Sequence, residues 1–179
     1  MSSMPLHALS QLAALATMML IAGCTTSATK RAMGVDATVF VIVRHAEKSA
    51  DDPKDPALSP AGLLRAQRLA DRLATRRVTA VHATAYRRTQ QTATPTAQRH
   101  GLDVQTYDAS APAEDFAATL RNRPNAGTVL IVGHSNTVPA IAQALCACAV
   151  APLREDEYDR WIAVRIDRNG AVTLEDSRY

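Results

Sequence analysis

Residues 39–49 read VFVIVRHAEKS. Five apolar residues, Val39 to Val43, run without a break into Arg44 and His45, with Glu47 and Lys48 just beyond. An unbroken, β-branched run of this length reads as a strand buried on both faces, as in a parallel sheet covered by helices. A strand that ends in an arginine and a histidine either surfaces into solvent or delivers the pair to a pocket.

The rest of the chain repeats the pattern of a strand followed by a helix. Downstream of an acidic, two-proline loop, SADDPKDPAL, Ser59 and Pro60 have the chemistry of an N-cap and first helical residue. Leu63, Ala66, Ala70 and Leu73 then follow at helical spacing to about Arg76. VTAVHAT (78–84) predicts a second strand, and a second helix runs from about Arg88 to His100, with Gly101 as its stop. DVQTY is a short third strand and PAEDFAATLRN a third helix. TVLIVG (128–133) is a fourth strand, and NTVPAIAQALCA a fourth helix with Val138, Ile141, Ala142 and Leu145 on one face. RWIAVRI and AVTLED flank Asn169-Gly170, a strong hairpin signal. The expected fold is α/β: three layers, a largely parallel sheet with helices on both faces, and a C-terminal β-hairpin.

In such a sheet, sites form at the carboxyl ends of the strands. The first strand ends at Arg44-His45, the second at Thr84 followed by Tyr86, Arg87 and Arg88, and the fourth at Gly133-His134-Ser135-Asn136. Two histidines and up to three arginines therefore converge on one sheet edge. Each feature alone reads as surface or core, and the convergence is what points to a site. His82, alternating within a strand, reads as structural, and His100 as a helix-end residue. The segment REDEYDR (154–160) reads as a solvated turn, and Arg87 as surface charge.

Composition narrows the classes. The 179 residues are enough for one domain with a real core. A net charge of only +3, with aromatics at 4%, gives no basic aromatic stripe, so no nucleic-acid partner is expected. Two histidines without H-x-x-x-H spacing or clustered carboxylates do not make a metal site. A single residue separates Cys146 from Cys148, and that spacing argues against an unstrained disulfide. A lone C-x-C is no zinc site either.

At these motifs the chain resembles the histidine phosphatase superfamily, the phosphoglycerate-mutase-like group. The motifs are RHAEK after the first strand, YRRTQQTA opening the second helix and VGHSNTVP after the fourth strand. The resemblance covers Val39 to about Tyr158. It implies that His45 is the nucleophile and that Arg44, Arg88 and His134 hold the phosphoryl group, with Asn136 beside them in substrate binding. Motif spacing selects Arg88, four residues before Thr92, over Arg87. The family's general acid has only a loose positional match in Asp108, and Glu47 is expected to orient its loop or Lys48.

The residue types suit that chemistry independently. Arginine offers paired planar donors to a group whose transition state carries charge on three oxygens. A neutral imidazole can attack phosphorus, and neighbouring guanidinium groups favour the neutral form. The expected activity is metal- and cofactor-free hydrolysis of a phosphomonoester on a small molecule. A phosphomutase or a phosphohistidine-protein phosphatase of the same family is the alternative. So is a phosphate-binding lipoprotein without catalysis, which would keep the arginines but not need His45.

The N-terminal stretch stands apart. LHALSQLAALATMMLIAGC, Leu6 to Cys24, has no Asp, Glu, Lys or Arg and stops at small residues, as a secretory segment does. Ile21-Ala22-Gly23-Cys24 looks like a bacterial lipobox, although Met1–Pro5 lacks a basic residue. The expected organisation is a lipoprotein signal over 1–23, a tether over 24–37 and the catalytic domain over 38–179. A lipid on Cys24 would hold a monomer on the envelope, facing the periplasm. Thr25 after the cysteine points to the outer membrane. The alternatives are an uncleaved anchor or a buried helix.

Overall fold

The computed structural model describes residues 37–122 and 126–179. The expected signal, tether and lipidation residue Cys24 lie outside the described residues, apart from Ala37. That residue opens the first strand instead of closing the tether. Among the described residues, no helix is long and apolar enough to cross a membrane.

Six strands form one mixed sheet. They are β1 (Ala37–Arg44), β2 (Val78–Ala83), β3 (Val104–Thr106), β4 (Gly127–Gly133), β5 (Arg160–Asp167) and β6 (Val172–Arg178), in the order β3-β2-β4-β1-β5-β6. The first four run parallel, whereas β5 is antiparallel to β1 and pairs antiparallel with β6. The hairpin closes at Asn169-Gly170. Asp167 accepts the backbone N–H groups of Asn169 and Ala171, and Gly170 takes a positive φ of 79°.

The four helices are α1 (Pro60–Leu73), α2 (Arg87–Arg99), α3 (Ala113–Arg121) and α4 (Thr137–Cys146). Strand side chains alternate, so β1, β2 and β4 each feed two cores. Phe40 and Ile42 of β1, with Val129 and Ile131 of β4, pack against Leu120, Ile141 and Leu145 of α3 and α4. Val41 and Val43, with Leu130 and Val132, pack against Leu69, Leu73, Ala93 and Ala97 of α1 and α2. This is why these runs show no polar residue on either face. At roughly 1.5–3 kcal/mol for each large aliphatic side chain fully buried, the two cores supply the main driving force.

Ser59 caps α1 by accepting the Gly62 N–H at 3.1 Å, with Pro60 opening the helix. A Cβ at Gly62 would sit 2.2 Å from the Glu47 carbonyl oxygen, so only glycine lets α1 seat on the backbone just after His45.

One expectation is corrected. Cys146 and Cys148 are joined in a disulfide, against the reading of their spacing. Ala147 between them ends α4 in the left-handed conformation, with φ 52° and ψ 37°. That turn brings the two Cα atoms to 5.1 Å, inside the range a bridge spans. The backbone conformation of the intervening residue, which spacing alone does not reveal, decided the outcome.

Candidate active site

The carboxyl ends of β1, β2 and β4 open into one cavity of about 850 Å³. Arg44, His45, Arg88, His134, Asn136 and Asp108 all line it. Arg44 is registered opposite Gly133, and the His45 N–H donates to the Gly133 carbonyl at 2.9 Å. This bond ties the ends of the first and fourth strands together and sets the two histidine rings 5.5 Å apart, edge to face. Gly133 leaves no room for a side chain, since a Cβ there would lie 2.6 Å from Thr137 Oγ1 and 2.8 Å from the Tyr107 hydroxyl.

His45 is almost fully buried. Its Nδ1 lies 2.8 Å from the carbonyl oxygen of Ala46. A carbonyl only accepts, so Nδ1 carries the proton and Nε2 keeps its lone pair. Burial draws the His45 pKa down to about 3. The Ala46 hydrogen bond opposes the shift, and the charges of Arg44, His134 and Arg88 add to it. At neutral pH the ring is therefore a neutral base with a fixed tautomer.

His134 is held by a relay of hydroxyls. Thr89 Oγ1 lies 2.7 Å from the Tyr86 carbonyl oxygen and 3.0 Å from that of Thr84, so it donates to one of them. Its oxygen is left to accept from Thr84 Oγ1 at 2.8 Å. The Thr84 oxygen then accepts from His134 Nε2 at 3.0 Å. The neutral His134 ring thus carries its proton on Nε2, and Nδ1 is the atom that can gain one. Burial, then Arg88 and Arg44, hold its pKa down to about 4. A bound dianion would reverse the sign of that local field.

The two arginines are held differently. Arg44 is buried, and its Nη1 donates to the carbonyls of Arg154 at 3.0 Å and Glu155 at 2.7 Å, while its guanidinium lies 4.4 Å over the Tyr158 ring. Nη2 reaches the Glu155 carboxylate at 3.2 Å. Arg88 lies 4.3 Å over the Tyr86 ring and 3.6 Å from Asp55. Arg44 Nε and Arg88 Nη1 are buried donors that find no hydrogen-bond acceptor among the described residues. Buried donors of this kind are costly unless an acceptor arrives, and an anion in the cavity would supply one. The N-terminus of α4, with Ser135, Asn136 and Thr137 on the cavity wall, adds its own positive end.

One further sequence reading is corrected, and other residues take their places around the cavity. The segment 154–160 is no mere solvated turn, because its backbone carbonyls hold Arg44 and Tyr158 sits 6.1 Å from the His45 ring. The hint available in the sequence was a tyrosine amid charges just before a strand. Of the two roles expected of Glu47, its contacts fit the first: it receives Arg65 of α1 in a forked pair at 2.6–3.0 Å, which anchors the loop after His45. Arg87 is half-exposed and binds Asp51 at 3.3 Å, and Asp55 accepts its backbone N–H at 2.9 Å. Asp108 reaches the cavity mouth, but Ser110 donates to its carboxylate from both hydroxyl and backbone and holds its pKa down. A general acid needs the opposite. His82 is buried edge-on against Phe116, as a structural residue.

Residues 40–110 match the model of the histidine phosphatase superfamily, branch 1. No curated protein sequence matches the chain. Solved structures share the fold. The protein histidine phosphatase SixA complexed with tungstate is 20% identical, with 78% of this chain and 96% of that one covered, at a TM-score of 0.66. A putative phosphohistidine phosphatase SixA from Nakamurella multipartitia is 22% identical, covering 81% and 98%, at 0.58. A putative alpha-ribazole-5'-P phosphatase from Escherichia coli is 16% identical, covering 80% and 97%, at 0.65. Residues 40–110 are under half of the chain and are similar to the family, and the solved structures show a shared fold. The matched segment ends before His134, whose place in the site comes from the fold.

Proposed function

We propose that the domain hydrolyses phosphomonoesters through a phosphohistidine on His45, without metal or cofactor. The observation that carries this reading is the His45–Ala46 hydrogen bond, which leaves Nε2 unprotonated between Arg44, Arg88 and His134. Nε2 attacks phosphorus, the ester P–O bond breaks, and the leaving oxygen takes up a proton. Water then attacks the phosphohistidine, the P–N bond breaks, and orthophosphate leaves. Arg44, Arg88 and a His134 protonated by the incoming dianion take up the charge on the three equatorial oxygens.

A mutase must retain its phosphate and reorient the product. The short connections around this cavity favour release to water. A phosphohistidine-protein phosphatase is the second reading, supported by the two SixA structures of similar size. For the address we propose lipid attachment at Cys24 and display in the periplasm, on the strength of the Ile-Ala-Gly-Cys stretch after an uncharged apolar run. Palmitate labelling lost in Cys24→Ser would test it.

The test of the chemistry is His45→Ala with a labelled phosphomonoester. The parent should yield an acid-labile, base-stable phosphoenzyme and be inhibited by vanadate in the presence of EDTA. The variant should yield neither phosphoenzyme nor turnover. Turnover of the variant near the parent rate would overturn the assignment.

A further inference from the structure

Beside the phosphate cavity lies a second, smaller cleft of about 180 Å³. The two are continuous: Tyr107, Asp108, Ala109, Asn136 and Thr137 line both. His45 lines the first and not the second, so the cleft opens on a side of the pocket away from the nucleophile. Its remaining walls are Ala111 before α3, Ala113 and Phe116 on α3, and Ala140 and Ile141 on α4.

The side chains of these far walls are carbon, while Tyr107, Asp108, Asn136 and Thr137 bring polar atoms to the wall shared with the phosphate pocket. Alanine at 109, 111, 113 and 140 leaves space that larger side chains would fill. Two polar atoms within reach are already committed. The Tyr107 hydroxyl donates to the Val132 carbonyl at 3.3 Å, and Thr137 Oγ1 accepts the His134 N–H at 2.9 Å. Phe116 stacks flat on Tyr107 with ring centres 4.3 Å apart, which fixes the floor of the cleft. A cleft with apolar far walls, opening off a cationic pocket, suits a ligand that is charged at one end and apolar at the other.

We infer that the cleft is a leaving-group subsite, and that the substrate is a phosphate monoester carrying a compact apolar aliphatic group next to the phosphoryl end. The inference rests on the phosphatase reading and narrows its substrate class. A cleft of about 180 Å³ has room for a short alkyl chain of several carbons.

The experiment measures binding of methyl-, propyl- and hexylphosphonate to the full chain by titration calorimetry, alongside hydrolysis of the matching alkyl phosphates. Each added methylene up to hexyl should tighten binding by about two- to fourfold. Ala140→Leu and Ala113→Leu, which fill the cleft from opposite walls, should abolish that gain and leave methylphosphonate affinity unchanged. Affinity that does not depend on chain length in the parent overturns the inference, as does a full gain retained in either variant. A chain-length gain in binding with no hydrolysis of any ester would instead sink the phosphatase reading. Hydrolysis with no dependence on chain length would sink the subsite alone.

Discussion

Thr92 in the second turn of α2 accepts the backbone N–H of Ala46, the residue after His45, at 3.0 Å. Its hydroxyl donates in turn to the Arg88 carbonyl at 2.7 Å. One threonine therefore fixes the loop beside His45 and sits one helical turn from the cavity-lining Arg88. The QTA of the second motif thereby registers α2 against the end of β1.

Thr92→Val keeps shape and removes the acceptor. A buried N–H is left unpaired, at about 1–3 kcal/mol. The variant should melt earlier. Its kcat should fall by roughly tenfold through misorientation of His45, with KM little changed. Steady-state kinetics with Thr92→Ser as the rescue checks this, because serine restores the acceptor. If serine and valine behave alike, the bond does not position the nucleophile.

Arg88 and Arg87 should differ sharply. Arg88 is mostly buried, and its Nη1 lies 3.6 Å from Asp55 without making a hydrogen bond, whereas Arg87 is half-exposed and bound to Asp51. Arg88→Ala should lower kcat/KM by about 10²–10³, the usual cost of one preorganised donor to transition-state charge. Arg87→Ala should stay within a few-fold of the parent. Equal losses would place both side chains on the phosphoryl group.

Glu155 competes for Arg44. Its carboxylate reaches Arg44 Nη2 at 3.2 Å and accepts from Ser135 Oγ at 3.1 Å, and it lines the cavity while remaining largely exposed. Replacing it with Gln should strengthen inhibition by inorganic phosphate by up to about fivefold, the range an exposed ion pair allows. Weaker inhibition would show that Glu155 instead holds Arg44 in the competent position.

Acid should destabilise the fold before its carboxylates titrate. Folded His45 and His134 titrate at about 3 and about 4, and an unperturbed histidine at 6.5. Between those values the unfolded chain binds protons that the folded chain does not. Stability is therefore fully present above pH 6.5 and is lost as pH falls towards the folded values. Urea midpoints at about pH 7 and about pH 5 should show the drop. His45→Ala and His134→Ala should each reduce it, and saturating phosphate should offset it. A double variant with an undiminished drop would assign the effect elsewhere.

The sequence by itself determined the layered fold and the address of the site. Val39–Val43 and Val129–Val132 carry no polar residue, because both faces of their strands are buried, and burial on both faces is a local pattern that survives in the linear chain. Arg44, His45 and His134 lie at strand ends, so their convergence follows from a parallel sheet. Only the tertiary structure decided the contacts made by irregular backbone. The carbonyls of 154 and 155 grip Arg44 from 110 and 111 residues away, Glu47 turns to Arg65, and Ser110 donates to Asp108. The Cys146–Cys148 bridge depended on one left-handed alanine. None of these contacts has a period, and a carbonyl has no residue identity, so composition and spacing could not register them. They appear only once the chain has folded back on itself and buried donors must find acceptors.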